Sequence, residues 1–546
     1  MVFDDHDVTD DWNLGRAWRD RVFTSPLGRR IVMNALVAYV VFQDWGNDPV
    51  RYHDAQGPYR DLLDQAFEYQ PRTVLPLASA TNPELLAEKK LAEHFGFNQP
   101  DPEKPAPKVK WHFTIDGPRH RVVALDTRTR RSFRSRYLPP GLLSAKALEE
   151  QLPSPSEKPL PAGVDILIVV SQTPPVLPSL AARVIIPLKT RIEEFKHHEQ
   201  WRRLTGLEPD NEIWPGDDVT YEALLKRLAE YRKVVLLSGE VHYGGAGELS
   251  YWERGLKRLT LDASLEPDLN TDRKPPIASQ RLRAAFQDAG FGLSDITCVQ
   301  VRKGNDEWIV ADVRTKQMFL VRKEKDGLNV YQEDEPARMA QFVSSGLKNI
   351  KGDIFLLGRL IGFAFPMSDL TPAERLIWKD NTPAPVKAPE GGRFHPSVRD
   401  RLGSEPVLLP SGNWPPGTTL VSRPDFSWRA DAVRDDRPDG ERPEFTRPAP
   451  LPTFDPTDVG DSYAKIAASH AGLVSKFRFA RGVMFQSNFG LVRFELDDEE
   501  RLVACQDLYT HPPGKHEGVP VNTYRVPLEV FGLERPKLLF DLPTGG

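Results

Sequence analysis

The stretch Thr220–Gly245 reads TYEALLKRLAEYRKVVLLSGEVHYGG and joins a helical pattern directly to a strand pattern. Its first half places apolar residues at helical spacing, namely Tyr221, Leu224, Leu225, Leu228 and Tyr231. The run VVLLSG then ends sharply, which is typical of a strand buried on both faces. VDILIVVSQTPP, Val164–Pro175, has the same character. Strand, helix and strand in alternation predict a layered α/β or α+β domain with active groups at strand ends.

Length and composition limit the possible classes of protein. A chain of 546 residues exceeds a single compact core, and 40% hydrophobic with 27% charged residues is typical of globular proteins. The net charge of −5 does not indicate nucleic-acid binding. The two cysteines, Cys298 and Cys505, exclude a disulfide framework and favour a reducing compartment, so we expect a cytoplasmic protein.

The longest apolar run, IVMNALVAYVVF, covers Ile31–Phe42. Twelve residues are too few for a membrane-spanning helix, which needs about 20. We therefore predict a buried helix and no membrane span. The first residues are acidic, where a secretory signal would be basic and then apolar.

Three parts are predicted along the chain. Residues 1–365 form the main domain, which includes an antiparallel meander of four short strands between Ile296 and Tyr331. Residues 366–456 are rich in proline and are predicted to be a linker region. Residues 457–546 are predicted to form a smaller β module, with a hairpin that joins Ala480–Leu496 to Arg501–Thr510.

Glu240 and His242 follow the strand VVLLSG. Residues at i and i+2 of an extended chain point to the same side, so a carboxylate and an imidazole share one direction here. This pair suits half of a site for a divalent metal ion. The alternative is a strand that ends in a polar turn with a surface histidine.

The chain opens with MVFDDHDVTDDWN, in which carboxylates surround His6. They are Asp4, Asp5, Asp7, Asp10 and Asp11. Such a cluster requires a cation, protonation or exposure to water. An aspartate beside a histidine can hold the imidazole tautomer and raise its pKa, which favours a general acid. The alternative is an exposed acidic tail.

Together, DDHDVTDDW (Asp4–Trp12) and VVLLSGEVHYG resemble the PhoD-like alkaline phosphatase family of the calcineurin-like metallophosphoesterase superfamily. Three blocks between and after them also fit the resemblance, which covers roughly residues 1–360: Trp111–Arg131, Asp165–Leu177 and Gln341–Ile350. The resemblance implies a layered β-sandwich flanked by helices, with an antiparallel β insert and a smaller C-terminal β module.

The resemblance also implies roles for individual residues. His6 would be the general acid that protonates the leaving oxygen, and Asp7 would orient it. Asp5, Glu240 and His242 would be metal ligands, although PhoD-like proteins usually carry aspartate at the position of Glu240. The implied cofactors are two or more metal ions, iron together with calcium or another divalent cation such as manganese or zinc.

The implied reaction is hydrolysis of a small-molecule phosphate mono- or diester. Arg128 would clamp the phosphate, since arginine binds phosphate oxygens in pairs; the alternative is an exposed arginine on a basic segment. Ser344 and Ser345 could act as catalytic nucleophiles, but the sequence positions no general base beside them. A turn at the rim of the site is the simpler interpretation. The oligomeric state is left open.

The sequence departs from the family pattern in two ways. The Asp-x-His or Asp-x-Arg strand end and the Gly-Asp-x-x-x-Asp turn that normally precede the family's Asn-His block, here Asp5-His6, are missing. The middle histidine ligand has no counterpart. Gln172 stands where that histidine would be sought. We therefore expect an N-terminally truncated family member, from which an export signal would also be lost. The alternative function is a catalytically inactive family member that acts as an interaction or structural protein.

Overall fold

The structure is a computed structural model, and it describes the following residues: 2–4, 7–9, 12–13, 15–69, 83–96, 107–134, 140–176, 213–239, 244–253, 257–261, 280–288, 299–303, 307–312, 317–324, 327–333, 337–345, 373–378, 386–387, 407–410, 419–420, 425–438, 483–484, 488–498, 500–510 and 520–529.

The α-helices of the described residues are concentrated near the N-terminus. They are α1 Arg16–Thr24, α2 Pro26–Tyr39, α3 Trp45–Asn47, α4 Pro58–Glu68, α5 Pro83–Phe95, α6 Ala145–Gln151, α7 Asp218–Glu230 and α8 Gln280–Asp288. A π-helical turn, Val40–Asp44, continues α2, and short 3-10 turns cover Pro49–Tyr52 and Trp214–Gly216. The N-terminal helices share a core that includes Phe3, Trp12, Met33, Leu36 and Trp111.

Local sequence accounts for the start of α2. The Ser25 hydroxyl accepts a hydrogen bond from the backbone N–H of Gly28, and Pro26 occupies the first helical position.

The predicted helix over Ile31–Phe42 is confirmed, but the expectation that all of it is buried is wrong. Ile31 is 47% and Phe42 80% exposed, because only one side of the helix faces the core.

The strands, numbered in chain order, account for most of the remaining described residues. They are β1 Phe113–Asp116, β2 His120–Ala124, β3 Ile166–Ser171, β4 Lys233–Gly239, β5 Gly244–Glu253, β6 Lys257–Leu261, β7 Val299–Lys303, β8 Glu307–Asp312, β9 Gln317–Glu324, β10 Gly327–Glu333, β11 Ala337–Ser344, β12 Ala373–Trp378, β13 Val386–Lys387, β14 Val407–Pro410, β15 Thr419–Leu420, β16 Phe426–Val433, β17 Val483–Met484, β18 Asn488–Leu496, β19 Leu502–Thr510 and β20 Asn522–Pro527.

A ten-stranded mixed sheet forms the centre of the fold. Its order is β1-β2-β3-β4-β11-β5-β16-β12-β14, with β17 paired to β5. β2, β3, β4 and β11 are parallel neighbours, whereas β5, β16, β12 and β14 continue the sheet antiparallel. The predicted mixed α/β class is confirmed, and so are the strands at β3 and β4 and the helix α7 between them in sequence.

Both faces of the parallel strands are buried. Leu167 and Val169 of β3 pack in the core that includes helix α7, through Leu224 and Leu225. Ile166 and Ile168 point the other way, into a core shared with Ala504, Tyr524 and Val526 of the C-terminal strands. The alternation of side chains along an extended strand therefore supplies two cores from one strand. The result is a three-layer arrangement of helices, central sheet and a second sheet.

Two smaller sheets agree with the sequence prediction. The meander is confirmed: β7, β8, β9 and β10 are successive antiparallel neighbours, and β6 adds to β10 in a five-stranded sheet. The C-terminal hairpin is confirmed as β18 paired with β19, and β20 completes a three-stranded antiparallel sheet. The limits of the three predicted parts stay predictions.

The region predicted as a linker contributes to the central sheet. Strands β12, β14 and β16 lie within residues 366–456, and β16 pairs along β5 while β12 joins β16 to β14. These three segments are part of the main core rather than a linker. Their prolines concealed the strand pattern in the sequence, whereas Leu376, Ile377 and Trp428 are buried.

Helix α7 holds these added strands through buried polar contacts. The Arg375 guanidinium contacts the Asp218 carboxylate at 2.5 Å, and the Trp428 indole N–H donates to Glu222 at 2.8 Å. Burial raises the pKa of Glu222 to about 7, although Arg375 and the Trp428 hydrogen bond act in the opposite direction.

Within the described residues, no helix is long and apolar enough to span a bilayer.

The raised pKa of Glu222 predicts that stability depends on pH. Folding binds a proton at this carboxyl between its ordinary pKa of 4.5 and about 7, so stability falls as pH rises through this window. Glutamine does not titrate, so Glu222→Gln should remove this pH dependence. The free energy of unfolding of the variant minus that of the unmodified protein should be on the order of 2 kcal/mol larger at pH 8 than at pH 5. Thermal unfolding at both pH values measures this, with exposed Glu149→Gln as the control. Equal effects at pH 5 and pH 8 would contradict it.

Candidate functional site

The carboxyl ends of β2, β3, β4 and β11 lie at one edge of the central sheet, here named the carboxyl edge. The registers place Ser171 of β3 beside Ser238 of β4, and Gly239 of β4 beside Ser344 of β11. In open sheets of this kind, ligands bind outside the carboxyl ends of the strands. The carboxyl edge is therefore the first place to look for a functional site.

The N-terminal segment lies at this edge. The Gln172 amide, just after β3, donates to the carbonyl oxygens of Phe3 at 2.5 Å and of Leu125 at 3.1 Å. Its oxygen accepts from the Thr127 hydroxyl at 2.6 Å. The Phe3 ring is buried, with its centre 4.7 Å from that of Trp111. Gln172 therefore joins the exits of β2 and β3 to the opening segment of the chain.

Arginines that follow β2 hold the same segment. The buried Arg128 guanidinium donates to the Asp4 carboxylate through Nη2 and, at 2.9 Å, through Nε. Arg131, also buried, donates to the carbonyl oxygens of Trp12 at 3.2 Å and Asn13 at 2.9 Å. The structure thus places Arg128 against Asp4. Its predicted contact with a phosphate stays a prediction.

Asp7 is held by two hydrogen bonds. Its carboxylate accepts from the backbone N–H of Asp4 at 2.9 Å and from the Gln43 amide at 3.1 Å. Gln43 belongs to the π-helical turn, a feature that is frequent at functional sites. The carboxylate of the residue next to His6 is therefore bound by two other parts of the chain. His6 itself, with Asp5, Glu240 and His242, lies outside the described residues.

Two buried carboxylates that the sequence did not single out, those of Asp44 and Asp126, act on the same hydroxyl group as Asp7. Burial raises the pKa of the Tyr39 hydroxyl, and the carboxylates of Asp44, Asp126 and Asp7 raise it further. These three acids therefore face one buried hydroxyl. Asp126 follows β2 in the polar segment ALDTR, so its place at the end of a strand could have marked it as a candidate from the sequence. Asp44 ends a helical run, where no local pattern distinguished it.

Asp44 and Asp126 differ in their surroundings. Burial raises the pKa of Asp44 to about 6, against the hydrogen bond that the Tyr52 hydroxyl donates to it. The Asp126 carboxylate accepts from the backbone N–H groups of Arg128 at 3.1 Å and Thr129 at 2.9 Å. Asp126 therefore shapes the turn that aims Arg128 at Asp4.

The described residues do not complete a metal site by themselves. Across these ranges, no three His, Cys, Asp or Glu side chains are grouped so that they could hold a metal ion. The predicted ligands Asp5, Glu240 and His242 lie outside the described residues. Comparison with protein-family models, curated protein sequences and solved structures found no match.

Replacing Arg128 tests how the N-terminal segment is held. Arg128→Lys keeps the positive charge but loses the two-nitrogen contact with Asp4. We expect the free energy of unfolding to fall by about 1–3 kcal/mol, and amide exchange to accelerate in peptides that contain Phe3 and Asp4. Arg119→Lys, at an exposed arginine paired with Asp165, is the control. Unchanged exchange in those peptides would show that Arg128 does not hold the segment.

Proposed function

We propose that this chain is a metal-dependent phosphate ester hydrolase of the PhoD-like type, with its site at the carboxyl edge. One observation carries the proposal. Phe3 is bound to Gln172 at the exit of β3, and Ser171 of the same strand pairs with Ser238 of β4. Phe3, which precedes the acidic block, and Gly239, which precedes Glu240, therefore lie at neighbouring strand ends. More than two hundred residues separate them in sequence.

The layers of the fold support the same proposal. A metallophosphoesterase-type sandwich needs two sheets that pack face to face and helices outside them. Here the three-stranded C-terminal sheet covers one face of the parallel strands, and α7 covers the other. The five-stranded meander sheet is antiparallel, which supports the expected antiparallel insert.

The donor set fits divalent cations. Asp5 and Glu240 supply oxygen and His242 supplies an imidazole nitrogen, a combination that suits iron, manganese or zinc, with calcium at an oxygen-rich position. When bound, the cations would supply a nucleophilic hydroxide and neutralise charge on the phosphoryl oxygens. The opening segment Asp4–Asp7 is here named the acidic turn. The buried carboxylates of Asp44 and Asp126 act on the Tyr39 hydroxyl together with Asp7 of this turn, and they add negative charge to its surroundings.

The chain's own residues then have distinct tasks. His6 donates a proton to the oxygen of the leaving alcohol, which would otherwise depart as a poorly stabilised alkoxide. Asp7 orients His6, because Gln43 and the Asp4 backbone hold its carboxylate in place. Arg128 fixes the acidic turn through Asp4 and lies at the edge where a phosphate would bind.

An inactive interaction or structural protein is the second candidate. The observation that favours it is the engagement of Arg128 with Asp4 within the protein, which occupies an arginine that a substrate would use. Metal content discriminates between the two candidates, because only the enzyme requires the cations.

The proposed general acid is tested by His6→Ala. With iron, manganese or calcium supplied, we expect the unmodified protein to hydrolyse a chromogenic phosphomonoester or phosphodiester. Loss of the proton donor should lower kcat by about 10²–10⁴-fold. His53→Ala, at an exposed histidine outside the acidic turn, is the control and should keep full activity. Hydrolysis that survives in His6→Ala would refute the acid role.

The proposed metal ligand on the β4 side is tested by Glu240→Ala. We expect the affinity for Mn²⁺, measured by isothermal titration calorimetry, to fall at least about tenfold. Glu157→Ala, at an exposed glutamate of a surface turn, should leave the affinity unchanged. If the unmodified chain binds no metal and hydrolyses neither ester, the interaction protein becomes the better account.

A further inference from the structure

The outer side of α2 carries a row of exposed side chains that continues through the π-helical turn into α3. This row is here named the outer stripe, and its members are Leu27, Ile31, Asn34, Ala38, Phe42 and Trp45. Leu27 is 62%, Ile31 47%, Phe42 80% and Trp45 39% exposed. Large exposed apolar side chains that lie together mark interaction surfaces, whereas single scattered ones do not. The outer stripe is therefore a candidate contact surface.

The spacing of the outer stripe is that of the contact line between two packed helices. Successive members are separated by four, three, four, four and three residues, close to the alternation of three and four that paired helices use. The departure falls in the π-helical turn Val40–Asp44, which holds more residues per turn than an α-helix. Val41 is half-buried there, and Phe42 continues the stripe. The stripe thus stays on one side of the helix over about 28 Å.

The inner side of the same helix is fixed, so the outer stripe has a defined shape. Val32, Met33 and Leu36 are at most 1% exposed and lie in the core of the N-terminal helices. Trp45 contacts the Tyr52 ring, and the two ring centres are 6.2 Å apart. A helix that is held in this way loses little conformational freedom when its outer side is covered.

Charge indicates the kind of partner. From the start of α2 to Trp45 the chain has three charged residues, and none belongs to the outer stripe. Arg29 and Arg30 are paired with Glu88, at 3.1 and 3.8 Å, and Asp44 is buried. An anionic lipid surface or a nucleic acid would require exposed basic residues along the helix. A second copy of this chain brings one uncharged stripe to another, so that no like charges meet.

The order of residues along the stripe also favours a second copy. Apolar side chains lie at both ends, with Leu27 and Ile31 at one and Phe42 and Trp45 at the other. Either direction of a partner helix therefore brings apolar ends together. The middle holds an asparagine and an alanine. A small residue lets two helices approach closely, and one asparagine in an apolar contact line fixes register and the number of chains.

We propose that this protein forms a homodimer through the outer stripe. A stripe about 28 Å long and about 10 Å wide covers less than the roughly 800 Å² per partner of a strong interface, so the dimer is weak and dissociates on dilution. The inference goes beyond the proposed function and does not depend on it. The contact lies on the helix that continues into Gln43, whose amide binds Asp7.

Sedimentation equilibrium of the full-length chain, from micromolar to near-millimolar concentrations, tests the dimer. Phe42→Glu places an unpaired charge in the contact, and we expect it to weaken self-association at least about tenfold. Phe67→Glu is the matched control, because Phe67 of α4 is 63% exposed but lies outside the outer stripe. It should leave the dimer unchanged, and both variants should keep the melting temperature. A protein that stays monomeric throughout, or equal weakening by the two variants, would overturn the proposal.

Asn34→Leu tests the same contact in the opposite direction. Completing the apolar line should tighten self-association at least about tenfold, as expected for one more buried leucine, and should admit assemblies larger than a dimer. An unchanged affinity would overturn the proposal. Co-sedimentation with neutral and anionic phospholipid vesicles tests the other occupant. A monomer that binds vesicles, and loses that binding in Phe42→Glu, would replace the second copy by a lipid surface.

Discussion

The attachment of the first residues to the exits of β2 and β3 is the contact on which the candidate site depends. Phe3 is buried among aromatic rings, Gln172 binds its carbonyl oxygen, and Arg128 binds the neighbouring Asp4. An acidic terminal segment would otherwise extend into water, because its carboxylates repel one another. The burial of the Phe3 ring and the Arg128 guanidinium offsets that repulsion and holds Asp4 near the exits of β2 and β3.

The central sheet brings distant parts of the chain together because its parallel strands are covered on both sides. Helix α7 covers one face, and β19 and β20 supply apolar side chains to the other. Strand β16 extends the same sheet beside β5. The described strands β12, β16, β19 and β20 thus contribute side chains to the cores on the two faces of this sheet.

The chemical character of the edge combines charge with burial. Asp44 and Asp126 are each 2% exposed and, like Asp7, lie near the hydroxyl of Tyr39. Positive charge enters through Arg128, which the turn built on Asp126 directs at Asp4. The proposed function requires a cation and an anionic ester at this edge, where opposite charges would offset the cost of burying both.

The sequence by itself determined the local elements. The apolar runs at β3 and β4 and the helical spacing in α7 predicted those elements, since periodicity depends only on neighbouring residues. The sequence also marked Asp7 and Arg128, but it did not show that Arg128 binds Asp4, because a contact across 124 positions leaves no local pattern. Only the tertiary structure decided the strands within the proline-rich region, the burial of Asp44 and the hydrogen bonds between Asn488 and Ser345. Each arises from packing between segments that are remote in sequence, where burial and hydrogen-bond geometry outweigh local propensity.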